Sequence, residues 1–139
     1  MAIVQTLCTS FKSEILKAVH NFDVDTFYIA LYTSASSIGA ATTVYTTADE
    51  IVGTGYAAGG IALTGVAVVV SGTTAYVTFN NATWLASTIL ARGALIYNFT
   101  KSNKAIAALD FGADKQSNNS PFVVQMPTNA VSTALIRIV

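Results

Sequence analysis

Apolar residues recur at helical spacing only once along this chain, near its start. Phe11, Ile15, Leu16 and Val19 form one stripe, and Lys12 and Lys17 fall off it. Thr9 or Ser10 offers an N-cap, Glu14 lies in or near the first turn, and Asn21 is a stop signal. The spacing predicts a helix over residues 9–20. From Thr26 onward the period switches to two. Thr26 to Thr33 alternates Phe27, Ile29 and Leu31 with Tyr28, Ala30 and Tyr32, so both faces are apolar and the strand reads as central.

Ser34 to Ala41 is small and polar and reads as a loop; Thr42 to Thr47 reads as a weak strand. Ile61 to Val70 reads as a strand with a bulge at Gly65. Ser71-Gly72 then turns the chain into Thr73–Phe79, the clearest hairpin signal present. Further strands are expected at Ile89–Asn98, Lys104–Phe111, Phe122–Met126 and Thr133–Val139, with a loop at Gly112–Pro121. One helix and about eight short strands imply an all-β single domain over residues 1–139. The expected architecture is an antiparallel β-sandwich wound as a jelly roll.

Charge changes this picture. From Ile51 to Ala91 there is no Asp, Glu, Lys, Arg or His. Charged residues make up 10% of the chain, against a usual share of about 25%. Seven basic residues balance seven acidic ones, so no basic patch argues for nucleic acid. A soluble surface normally scatters charge. Its omission over so much chain points to a face covered by other protein. The longest purely apolar run, Val66 to Val70, is far too short to span a membrane. No signal peptide is apparent in the first residues, so cytoplasmic synthesis is expected.

Catalytic constellations are hard to assemble. Gly53-Thr54-Gly55-Tyr56-Ala57-Ala58 matches a dinucleotide fingerprint in letters, but a β-patterned run follows where a helix is required. Cys8 reads as a small buried hydrophobe and His20 as a helix-end residue capping a carbonyl. Asp23 with Asp25, Asp49 with Glu50, and Asp110 with Asp114 read as turn carboxylates rather than an acid–base pair or a calcium loop. No catalytic residue, metal ligand or cofactor is expected. The residues suited to a protein interface are Tyr56, Trp84 and Arg92. Trp84 serves equally well as a core anchor, and Arg92, inside an apolar strand, needs an acidic or carbonyl partner in this chain or a neighbour.

Ser10-Phe11-Lys12 with Glu14, His20-Asn21-Phe22-Asp23, Ile29-Ala30-Leu31-Tyr32-Thr33-Ser34 and Glu50 through Gly60 resemble small virion proteins of tailed bacteriophages. Ala91-Arg92-Gly93-Ala94-Leu95-Ile96-Tyr97-Asn98 and Asp110-Phe111-Gly112-Ala113-Asp114-Lys115 extend the likeness over nearly the whole chain. Size and β-pattern are similar to the capsid cement, or decoration, proteins of short-tailed phages. That resemblance implies a non-enzymatic homodimer, bound to the major capsid protein on the outer surface of the virion. It implies no contact with nucleic acid or membrane and carries over no catalytic residue. Two other readings share the charge-poor β-pattern: a tail, neck or fibre protein, and a carbohydrate-binding module using Tyr45, Tyr56 and Trp84.

Overall fold

A computed structural model describes residues 2–139. In chain order its elements are β1 (Thr6–Leu7), α1 (Thr9–Leu16), β2 (Phe27–Tyr32), β3 (Ile61–Ala62), β4 (Ala67–Ser71), β5 (Thr74–Thr78), β6 (Ala82–Asn98), β7 (Lys104–Val124) and β8 (Ile136–Ile138). Two antiparallel sheets result, ordered β1-β7-β6-β2-β3 and β4-β5-β8. The all-β antiparallel class is as the period-two pattern predicts. Jelly-roll winding is not established by these orders; within each sheet the longest pairing, β6–β7 or β4–β5, is a hairpin of consecutive strands.

The spine is β6. From Gly93 to Asn98 it is buried, with β2 on one edge and β7 on the other. That position explains the unbroken apolar run Ala94-Leu95-Ile96-Tyr97, since a strand buried on both faces does not alternate. Farther toward its start, β6 alternates instead: Ala82, Trp84, Ile89 and Ala91 point inward while Thr83, Leu85, Thr88 and Leu90 face out. Register shifts at Trp84/Ser87, Ser87/Ile89, Ala91/Gly93 and Ile96/Tyr97 bend the β6–β7 hairpin.

Several expected boundaries move. The segment Gly112–Pro121, expected as a loop, is part of β7: Lys115, Gln116, Ser117 and Ser120 pair with β6, and apart from the buried Ser117 its polar side chains are exposed or half-exposed. A polar strand with one solvated face lacks the hydrophobic alternation that marks strands in a sequence. Phe122–Val124 therefore belongs to β7 and is not a separate strand. The expected strand Ile61–Val70 is broken in two. Gly65 adopts φ 65° and hands the chain from one sheet to the other, and a side chain there would run into Asn80. Thr42–Thr47 forms only a single bridge, Val44 to Lys104. The hairpin expected at Gly72 is present, with Gly72 at φ 61°. Ile3 is buried and Thr6–Leu7 pairs with β7, so the N-terminal segment is built into the domain.

The helix is shorter than expected, ending at Leu16 rather than His20. Its N-cap is Cys8, neither Thr9 nor Ser10, and Glu14 sits in the last turn. Ala18 N–H donates to Ile15 O and Val19 N–H to Glu14 O, the paired bonds of a Schellman stop. Ala18 occupies the left-handed position of that stop at φ 58°. An L-residue pays roughly 1 kcal/mol for this backbone, which glycine adopts without penalty. The stop leaves Leu16 exposed, while Phe11 alone of the helix is fully buried. The expected outcome for Ala18→Gly is therefore a stabilisation of about 0.5–1 kcal/mol, offset in part by glycine's greater freedom when unfolded, read from urea unfolding midpoints.

Candidate interaction surface

The three-stranded sheet carries the most distinctive surface. Its register sets Val68 opposite Val77, Val70 opposite Ala75, Ala75 opposite Ile138, and Val77 opposite Ile136. Residues directly across a ladder share a face, so all six lie on one side. That side carries no polar side chain. One end of it is covered: Val77 and Ile136 are buried and share an apolar groove of about 130 Å³ with Ile15 and Phe22. The other end overhangs the domain. Val68 is 43% exposed, Val70 72% and Ile138 66%. Along the edge, Asp23 Oδ1 accepts a hydrogen bond from Val68 N–H at 3.3 Å, which blunts β4 as a template for further strand pairing.

The uncharged run Ile51–Ala91 supplies β3, β4, β5 and the first half of β6. About half of its residues are exposed, so the chain has a broad surface without a formal charge. Solvated surface of this kind is held soluble only by Thr, Ser, Asn and backbone groups.

The residues singled out for an interface lie elsewhere. Trp84 is 4% exposed, packed against Tyr56 and Phe122 with ring centroids 5.8 and 6.2 Å away. It anchors the core. Arg92 has its partner within this chain: Nε donates to Asp110 Oδ1 at 3.0 Å. The Gly112 N–H and Arg92 hold the Asp110 carboxyl below its usual range. Tyr56 is half-buried and hydrogen-bonded internally. The three do not form one surface.

Tyr56 belongs to a cluster that the sequence did not signal. Glu50 accepts hydrogen bonds from Tyr45 Oη and Tyr56 Oη, both at 2.6 Å, and from Gly59 N–H at 2.8 Å. Tyr56 Oη in turn accepts from Leu31 N–H, and Tyr97 Oη donates to Gly59 O at 2.6 Å. Tyr45 stacks on Tyr97, centroids 4.8 Å apart. These contacts pin the irregular connection over residues 33–60 to β2 and β6. The glycine motif Gly53–Ala58 lies in that connection. No helix follows it, and Gly53 approaches Thr88 O too closely for any side chain. With Tyr45 and Tyr56 tied to Glu50 and Trp84 buried, the three aromatics suited to sugar binding offer no shared platform.

A second polar chain runs through the buried His20. Asn98 Oδ1 accepts from Lys101 N–H, which orients its amide so that Nδ2 donates to Asp25 Oδ2 and to His20 Nδ1, each at 2.9 Å. His20 Nδ1 is therefore the acceptor, and Nε2–H donates to Glu14 Oε1 at 2.9 Å. Burial pushes the Asp25 carboxyl up, but the Asn98 amide, the Asn21 N–H and Lys101 outweigh it and leave it lowered. His20 thus ties α1 to β6 and the 21–25 turn rather than capping a carbonyl. Asp23 and Asp25 bind separate partners and do not form a pair. Cys8 is buried against Gly39 O, and burial with the nearby Glu14 charge raises its thiol to about 11.

Among the described residues no three His, Cys, Asp or Glu side chains gather as metal ligands, and no helix is long and apolar enough to cross a membrane. Comparisons with family models, curated proteins and solved structures return no match.

The Glu50 cluster generates two predictions. Glu50→Gln sets an NH₂ donor against phenol or amide donors and loses the charge-assisted bonds. A destabilisation of about 2–3 kcal/mol is expected in chemical denaturation, with faster amide exchange confined to residues 44–60. The second concerns alkali. Burial, followed by the charge of Glu50, pushes the Tyr97 phenol up to about 12. Tyr45 and Tyr56 are raised further by burial and by donating to Glu50. Phenols of the unfolded chain ionise near pH 10, so the folded state holds the more protons above that pH. Stability from the cluster is complete below about pH 10 and falls as pH rises toward 12. Denaturant midpoints across this range, with phenolate absorbance followed in parallel, check the sign.

Proposed function

We propose that this chain is a non-enzymatic structural virion protein, a capsid cement or decoration protein. In this reading it binds the outside of the shell formed by the major capsid protein, acts as a homodimer, and resists the outward pressure of packaged DNA. The observation that carries the reading is the overhanging apolar face of the three-stranded sheet, set within a run of chain that bears no charge. A partner surface removes Val70 and Ile138 from water, worth about 1–2 kcal/mol apiece.

The exposed parts of Val68, Val70 and Ile138 fall well short of the ~800 Å² per partner of a standard interface. One such contact is weak by itself. A dimer carrying two makes the second attachment intramolecular, and the pair then holds where a single contact would release. A clamp of that kind opposes the separation of neighbouring capsomers without any chemistry. Val and Ile side chains suit it, since they lose little rotamer entropy on docking.

Purified shells test this directly. Val70→Asp and Ile138→Asp replace exposed residues, so stability is expected to stay within about 0.5 kcal/mol of the parent. Both variants are expected to lose shell occupancy at least tenfold in co-sedimentation, because a charge is buried without a partner. Full occupancy by both variants, or rings and tubes formed by the chain alone, overturns the reading.

A further inference from the structure

The turn over residues 21–25 joins the buried histidine to the overhanging sheet. Phe22 is buried, stacked on Phe27 with centroids 4.6 Å apart, and lines the apolar groove with Ile15 and Val77. Asp23 accepts from Val68 N–H at the β4 edge. Asp25 closes the turn: its Oδ2 accepts from Asn21 N–H at 3.0 Å, and its own N–H donates to Asn21 O at 2.9 Å. Asp25 Oδ2 also accepts from Asn98 Nδ2, the same nitrogen that donates to His20 Nδ1.

One amide thus serves three partners, and its orientation fits only a neutral histidine. Asn98 gives its nitrogen to His20 and Asp25 and its oxygen to Lys101 N–H. A proton on His20 makes both ring nitrogens donors. The Glu14 contact is kept, since Nε2 donates in either state. Nδ1–H, however, then faces Asn98 Nδ2 at 2.9 Å, donor against donor, on an imidazole with no exposed surface. Turning the Asn98 amide over mends that contact and spoils the other two: its oxygen meets the Asp25 carboxylate and its nitrogen meets Lys101 N–H. Swinging Asp25 onto His20 Nδ1 instead opens the turn. Each local answer to the added proton takes Asp25 off Asn98, and unmatched buried groups are costly.

Charged groups face this site from the elements around it. Glu14 of α1 has Lys104 of β7 at 3.5 Å from its other oxygen, and Lys101, between β6 and β7, stands 3.9 Å from Asp25. Arg137 of β8 lines the same groove as Phe22. Cys8, ahead of α1, has its thiol raised to about 11 and stays neutral near pH 7. The Asp25 carboxyl is held below its usual range, so it stays ionised over the pH 5–8 span in which histidine side chains ordinarily change charge.

We propose that His20 is a proton-operated latch on the apolar sheet face: its protonation detaches Asp25 from Asn98, loosens the 21–25 turn, and releases the Asp23 bond that holds the β4 edge. That the latch regulates shell attachment rests on the reading above, in which this face is the contact surface. The latch itself is a property of the isolated chain.

Nitrogen and amide NMR of the full chain, from about pH 8 down to about pH 5, tests it. At the upper end the His20 ring is expected to carry its proton on Nε2. On acidification the Asn98 side-chain amide, the backbone amides of residues 21–25 and Val68 N–H are expected to shift with the midpoint of the His20 ring. Exchange protection of the Asn21 and Asp25 amides, corrected for the intrinsic effect of pH, is expected to fall about fivefold, the scale of one net hydrogen bond. In His20→Gln, which keeps a neutral donor and acceptor, these changes are expected to vanish; should that variant not fold, the parent titration still decides. A His20 ring that stays neutral throughout overturns the proposal. So does one that titrates while Asn98, residues 21–25 and Val68 keep their resonances, or global unfolding with no earlier change at Asn98. Shells enter neither result, so failure of the latch and failure of the attachment reading are distinguishable.

Discussion

The antiparallel pairing of β6 with β7 is the interaction on which the rest of the fold hangs. It runs from Ala82–Val124 at one end to Asn98–Lys104 at the other; β1 and β2 attach to it directly, and β3 through β2. β2 pairs along the buried half of β6, β1 caps a short stretch of β7, and α1 packs on β7. The bends at the register shifts matter as much as the pairing itself. They turn a long ribbon into a curved wall, with Trp84, Phe122 and Phe111 drawn together inside the curve. A straight hairpin of this length would leave those rings in water.

Polar side chains hold what the sheet does not. The connection from Thr33 to Gly60 has almost no regular structure, yet its backbone is fastened at Glu50 by two phenols and an amide. The 21–25 turn and the end of α1 are fastened through His20 and Asn98 in the same manner. Both clusters use buried or half-buried acids held by hydroxyl, amide and imidazole donors, with Lys101 and Lys104 adding charge beside Asp25 and Glu14. Such groups are costly when unsatisfied, so each cluster specifies one arrangement of the chain around it. Glu14, Asp25, Glu50, His20, Tyr45, Tyr56 and Tyr97 all take part in these structural contacts.

What remains at the surface is chemically quiet. The smaller sheet projects an apolar end, and the uncharged run coats one region. The exposed end of the smaller sheet is flat rather than enclosed.

Alternation alone determined much of this protein. The all-β class, the central strand at Phe27–Tyr32 and the hairpin at Gly72 follow from side-chain period and turn residues, and the burial of Cys8 from the apolar character of a free cysteine, all local properties. The absence of charge from Ile51 to Ala91 was equally plain. Other features needed the folded chain. Gly112–Pro121 is strand because β6 lies beside it, and nothing in its polar composition reports that neighbour. The Glu50 cluster joins residues spread from Leu31 to Tyr97, and the His20 chain joins Glu14 to Asn98. Val70 and Val77 lie on the same face of the smaller sheet, yet Val77 is buried and Val70 projects into water. Period-two spacing says which residues share a face; only tertiary packing decides how far along that face the rest of the domain extends.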